Sequence, residues 1–225
     1  MMKIFGGLKA SIRDRVSPET WEAARSLKYK RASGCARRPV SKAHWARVTT
    51  VRAWQEFLRG LPIGEFDALE ISPERVTQWR EFGFRSYRSV QFPEFDITEK
   101  TLPHSFNIII AEHVFEHLRY PYAAARNVLA MLKDDGVFLI VTPFLVRVHG
   151  YSLDYTRWTP DGLRSFLEDC GFDAEVHAWG NRKAVKSNLD QWTPYGWGRD
   201  LRNEVDVPVC VWAFARKRLS EPCCS

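Results

Sequence analysis

Apolar positions between Phe106 and Phe144 fall into three blocks. Phe106-Asn107-Ile108-Ile109-Ile110-Ala111 is short and rich in β-branched residues, and Gly136-Val137-Phe138-Leu139-Ile140-Val141 is a second run of the same kind. Such continuous runs predict strands buried on both faces. Between them Ala123, Val128, Leu129 and Leu132 recur at helical spacing, with Arg126 and Lys133 on another side. Asp134-Asp135-Gly136 supplies a turn that stops the helix. The pattern predicts a β-α-β unit whose two strands are parallel neighbours. Ligands of such sheets bind beyond the carboxyl ends of the strands. Glu112-His113 follows the first run there, and Thr142-Pro143-Phe144 follows the second.

The flanking pattern extends this unit in both directions. Phe66 to Ile71 reads as the first strand of the sheet, 74–82 as a short helix, Tyr87 to Val90 as a second strand and Phe95-Asp96-Ile97 as a third. Downstream, 145–158 reads as a polar and aromatic loop. Thr159-Pro160-Asp161 caps a helix that carries Leu163, Phe166 and Leu167 and ends at Cys170-Gly171-Phe172. Residues 173–179 and 207–215 read as closing strands, joined by a long loop over 180–204 that holds Trp192, Tyr195 and Trp197. Upstream, Ser17-Pro18-Glu19 starts one helix. Ser41 starts another, with Trp45, Val48, Val51, Trp54 and Leu58 on one stripe and Gly60 and Pro62 at its end. The tryptophans read as packing residues.

Charge divides the chain. Residues 1–62 hold 14 Lys and Arg against 4 Asp and Glu, whereas the whole chain of 225 residues has a net charge of +6. The expected organisation is a basic helical segment over 1–62 and a second domain over 63–225. The basic segment fits nucleic acid, an anionic lipid surface, an acidic partner or a solvated helical face. Within it, residues 1–16 place Ile4, Phe5, Leu8 and Ile12 on one side. That side fits peripheral membrane contact or docking on the chain's own domain. No apolar run approaches the roughly 20 residues of a membrane helix. The five cysteines (Cys35, Cys170, Cys210, Cys223 and Cys224) form no CxxC pair, and the expected compartment is cytoplasmic.

Several motifs in one order carry a family resemblance. Leu69-Glu70-Ile71, Asp96-Ile97, Leu102-Pro103 with Ser105-Phe106-Asn107, Val114-Phe115-Glu116-His117-Leu118, Leu132 to Gly136 and Arg157-Trp158-Thr159 stand in sequence. Over residues 64–216 the chain resembles class I S-adenosylmethionine-dependent methyltransferases of the small-molecule branch. The resemblance implies a Rossmann-like three-layer α/β sandwich. It also implies a mostly parallel seven-stranded sheet with an antiparallel C-terminal strand, with the N-terminal helices added. It implies S-adenosyl-L-methionine as cofactor, held by Glu70, Ile71, Ser72, Pro73, Asp96, Ile97, Glu112 and His113. The family's first loop is usually glycine-rich, since glycine lets the cofactor approach the backbone and supplies positive φ. Here it reads Ile71-Ser72-Pro73-Glu74-Arg75. Ser86, Arg88 and Ser89 stand where a ribose-binding acid is usual, leaving Glu94 or Asp96 for that task.

Methyl transfer from a sulfonium needs alignment of donor and acceptor, and a base where the acceptor is a hydroxyl. His113, His149 and Asp154 are the candidate catalytic groups. Phe144, Tyr155 and Arg157 are the candidate acceptor contacts, and an Asp154–Arg157 ion pair bracing the loop is the competing reading. Glu116 and His117 read as structural. His113, His117 and His149 lack a tight ligand spacing, so no metal is expected. The expected function is methyl transfer to a small molecule or glycan, and a homodimer is compatible with it. The alternative is a catalytically inactive methyltransferase-like domain that binds a partner. Nucleic acid is not the expected partner: neither a base-flipping motif nor a cysteine nucleophile motif is present. No GxGxxG follows a strand, which argues against a dehydrogenase.

Overall fold

A computed structural model describes residues 45–73, 79–103, 105–149, 153–190 and 201–218. The helices expected over 1–16 and from Ser17 lie outside the described residues, as do Glu74, most of the helix expected over 74–82, and the aromatic stretch 191–200.

Helix α1 spans Trp45–Leu58. Strands β1 (Asp67–Ile71) and β2 (Ser86–Val90) follow, then β3 (Phe106–Glu112). Helix α2 is Pro121–Met131 and β4 is Leu132–Pro143. Helix α3 (Pro160–Asp169), β5 (Phe172–Trp179), α4 (Arg182–Asp190) and β6 (Cys210–Lys217) complete the order. The strands form one sheet in the order β2-β1-β3-β4-β6-β5. The first four are parallel, and β6 runs antiparallel between β4 and β5.

Side-chain alternation along these strands builds two apolar layers, as expected when both faces of a sheet are covered. Leu69, Ile71, Ile109, Ala111, Phe138 and Ile140 pack with Ala124, Ala125 and Val128 of α2 and Leu163, Phe166 and Leu167 of α3. On the other face Ala68, Ile108, Ile110, Leu139 and Val141 pack with Trp54 and Leu58 of α1, Trp79, and Ala184 of α4. The result is a three-layer α/β sandwich. Trp54 is fully buried, in agreement with a packing role.

Three expectations are corrected. The segment Phe95-Asp96-Ile97 is a turn, so the described residues contain six strands where seven were expected. Asp96 Oδ1 accepts from Thr98 N and Thr98 Oγ1 at 2.8 and 2.7 Å, and the Asp96 carbonyl accepts from Lys100 N at 2.9 Å. An Asp side chain that bonds its own following backbone competes with a sheet ladder. The stretch after α2 does not simply stop the helix. The β3–β4 ladder jumps from Phe106↔Leu132 to Ile108↔Val137, so Lys133 to Gly136 bulges out of β4. Residues 182–190 of the expected 180–204 loop form α4. Asn181 Oδ1 accepts from Ala184 N at 2.8 Å, which is an N-cap bond.

Candidate functional site

Strand order reverses between β1 and β3: β2 lies on the far side of one, β4 on the far side of the other. Such a switch point opens a crevice at the carboxyl ends. The residues that leave the two strands there are Ser72 and His113, with φ of 50° and 53°. A non-glycine residue with this φ is uncommon and costs on the order of 1–2 kcal/mol. Both are pinned by the neighbouring strand: Ser72 N donates to Val90 O at 2.7 Å, and His113 N donates to Val141 O at 3.0 Å. Ser72 thus adopts the conformation that a glycine would supply in this loop. Pro73, next to it, is half-buried.

Glu112, the last residue of β3, is held from the α1 side. Arg47 Nε lies 3.3 Å from its Oε1, and Trp79 Nε1 donates to its Oε2 at 3.4 Å. Sequence reasoning missed both partners, because α1 and the turn after β1 meet β3 only through tertiary packing. Glu70 is buried within β1, and the hydroxyl of Tyr87 on β2 donates to its carboxylate. Ile71 and Ile97 are core residues, and the Ile97 carbonyl accepts from Asn127 Nδ2 at 2.7 Å. Asp96 is half-buried, and both of its turn bonds fall on Oδ1.

A second set of groups joins the turn after β3 to the loop after β4. Glu116, in the turn Phe115–His117, is fully buried. Its backbone carbonyl accepts from Tyr155 N at 2.7 Å and from Thr156 N at 3.3 Å. Three imidazoles face its side-chain Oε1: His117 Nε2 at 3.5 Å, and His113 Nδ1 and His149 Nε2 each at 3.7 Å. His117 Nδ1 donates to Leu153 O at 3.0 Å. Asp154 Oδ2 accepts from the backbone N of His149 at 3.1 Å and from its Nδ1 at 2.9 Å. Arg157 forms an ion pair with the same carboxylate, so the bracing pair is present. Burial opposes the charge on Asp154, but Arg157 and the His149 N–H outweigh it and hold its carboxyl at about 2. An ionised carboxylate only accepts, so His149 Nδ1 carries the proton, and this contact outranks the 3.3 Å approach of Arg157 Nη2. The Glu116 carboxylate raises the pKa of His149; burial opposes the rise and Asp154 adds to it.

The remaining candidates border this cluster. Phe144 packs against the core, and its N–H donates to Val209 O at 2.8 Å. Tyr155 is exposed. Arg157 gives donors to Asp154 and to the Thr156 carbonyl. Glu116, expected to be structural, is the residue on which the three histidines converge. No short-range signal in the sequence could have announced that, since His149 stands more than thirty positions away.

Residues 49–138 match a family described as a methyltransferase domain. No curated protein sequence matches the chain. Solved structures do resemble it. An S-adenosylmethionine-dependent methyltransferase from Mesorhizobium loti superposes with a TM-score of 0.54 at 14% identity, over 76% of this chain and 98% of that one. A methyltransferase of the same dependence from Archaeoglobus fulgidus gives 0.51 at 16% identity, over 75% and 94%. The DhpI–SAM–HEP complex gives 0.51 at 14% identity, over 95% and 100%. At these identities the likeness concerns the fold.

Proposed function

We propose that the chain is a class I methyltransferase and transfers a methyl group from S-adenosylmethionine to a small-molecule or glycan acceptor. One observation carries the reading. Ser72 and His113 leave adjacent parallel strands in left-handed conformations, at the point where strand order reverses. Strained residues concentrate at ligand sites, and this crevice is where an α/β sheet takes its ligand.

In this reading the cofactor lies across Glu70, Ile71, Ser72 and Pro73 on one side and Glu112 and His113 on the other, with Asp96 and Ile97 along its nucleoside end. Asp96 Oδ2 is the oxygen offered to the ribose, because Oδ1 is committed to the turn. The acceptor enters from the β4 side, beside Phe144 and exposed Tyr155.

The bound cofactor supplies an electrophilic methyl group on a sulfonium. The protein contributes alignment, worth several kcal/mol on the proximity scale. With a hydroxyl acceptor, His113 is the imidazole nearest the rim and takes the proton. Asp154 and Arg157 are positioning residues: paired with each other, they hold His149 beside Glu116.

Calorimetry with S-adenosylhomocysteine tests this. Saturable binding is expected, weakened at least tenfold in Asp96→Ala. Folded protein that gives no heat at millimolar ligand would remove the assignment.

A further inference from the structure

We propose that Glu116, His117 and His149 form a binding site for a divalent transition-metal ion of the zinc class. The site does not depend on the cofactor reading above. Each residue offers one ligand atom, and these atoms lie within 4.8 Å of one another.

Glu116 supplies the first argument. Its side chain is 0% exposed, and among the described residues neither carboxylate oxygen has a partner at hydrogen-bond geometry. An ionised carboxylate so placed is costly unless a cation or a set of donors compensates it. The imidazole nitrogens in front of Oε1 stand 3.5 and 3.7 Å away for His117 and His149. That is longer than an N–H···O bond, which centres near 2.9–3.0 Å. It matches the edge of a ligand tetrahedron around zinc: bonds of about 2.0–2.1 Å place neighbouring ligand atoms about 3.4 Å apart.

The outer contacts supply the second. A metal-binding histidine usually donates its other ring N–H to a carboxylate or a backbone carbonyl, which turns the free lone pair toward the ion. Both arrangements occur here. His149 Nδ1 bonds Asp154 Oδ2 at 2.9 Å, and His117 Nδ1 bonds Leu153 O at 3.0 Å. In each ring, Nε2 is then the nitrogen directed at Glu116. Two imidazoles and a carboxylate select zinc-like ions over magnesium or calcium, which prefer all-oxygen sites. The backbone bond from Tyr155 N to Glu116 O, at 2.7 Å, holds the two ligand-bearing segments together without an ion. The donor set therefore has a frame of its own. Three protein ligands leave a coordination position for a solvent or substrate oxygen.

The test uses the whole, metal-stripped chain. Titration with Zn²⁺ by calorimetry is expected to show saturable binding of one ion per chain. Co²⁺ is expected to give the visible ligand-field absorption of a low-symmetry site. His117→Ala and His149→Ala are expected to weaken binding at least tenfold. Asp154→Asn, which neutralises the carboxylate that stands behind His149 and pairs with Arg157, is expected to weaken it about 10- to 100-fold. His177→Ala removes a histidine on β5 that pairs with Glu175, and it is expected to bind like wild type. Thermal unfolding checks that each variant is folded. The wild-type cobalt spectrum needs no variant. The site is overturned if folded wild-type protein binds neither ion. It is equally overturned if the double variant His117→Ala/His149→Ala binds with unchanged affinity, which would put the ion elsewhere in the chain.

Discussion

Arg47 Nε lies 3.3 Å from Glu112 Oε1, tying helix α1 to the carboxyl end of β3. The Glu112 side chain is only 10% exposed, so losing Arg47 leaves a nearly buried carboxylate without that cation. Arg47→Met is expected to destabilise the chain by roughly 1–3 kcal/mol, the desolvation cost of a buried polar group that loses its partner. Urea unfolding measures it. A double-mutant cycle with Glu112→Gln should recover part of the loss. Additive effects would show that the pair is not coupled.

Ser72 offers a sharper contrast, because its φ of 50° penalises side chains unequally. Glycine relieves the strain but has more freedom to lose on folding, so Ser72→Gly is expected to stay within about 0.5 kcal/mol of wild type. A β-branched residue is a genuine outlier at this φ. Ser72→Val is expected to cost about 1–2 kcal/mol or more. Equal melting temperatures for the two variants would contradict the strained conformation.

Gly180 is required by crowding. A Cβ there would lie 2.2 Å from Val207 O and 2.4 Å from Val209 N, both backbone atoms. The segment is held in place: Glu204 N donates to Gly180 O at 2.7 Å and Val209 N to Trp179 O at 2.7 Å. Gly180→Ala is expected to destabilise by at least about 2 kcal/mol, as overpacking against backbone does. Chemical denaturation tests this, and a neutral effect would be inconsistent with the contact.

Asp67 predicts a pH dependence. The hydrogen bond from Arg85 is the main reason its carboxyl titrates well below the usual range. Ser86 also lowers it, burial works the other way, and Lys133 adds a smaller lowering. The folded pKa is below the unfolded one, so the stabilisation is fully present above the ordinary value of about 3.9. It is lost as pH falls toward the folded value. Asp67→Asn should therefore cost roughly 0.5–1 kcal/mol at neutral pH, a solvent-screened magnitude. The difference should shrink steadily below pH ~4. A difference that grew in acid would reverse the assignment.

The central β3-α2-β4 unit was legible because its information is local. Ile108 to Ala111 and Val137 to Val141 are too apolar to lie anywhere but between two covered faces, and the chain between them is long enough for a crossover helix. The Thr159 cap of α3 was legible for the same reason: a hydroxyl before Pro160 needs only its own turn, and Thr159 Oγ1 accepts from Gly162 N at 3.0 Å. Where the reading failed, two local signals competed. Phe95-Asp96-Ile97 has a strand's alternation, but the Asp96 carboxylate finds Thr98 before any partner strand. Residues 182–190 carry Ala184 and Asn188 at helical spacing behind the Asn181 cap, a signal outweighed by the aromatic and glycine-rich stretch after them.

The parallel core and the identity of the groups at its carboxyl rim were written in contiguous residues, since burial and capping act over a few positions. The meeting of Glu116, His117 and His149, and of Arg47 with Glu112, belongs to the folded chain alone. Those contacts arise when β3 and β4 lie side by side and α1 closes the other face. No spacing along the chain encodes the few ångströms that then separate their side chains.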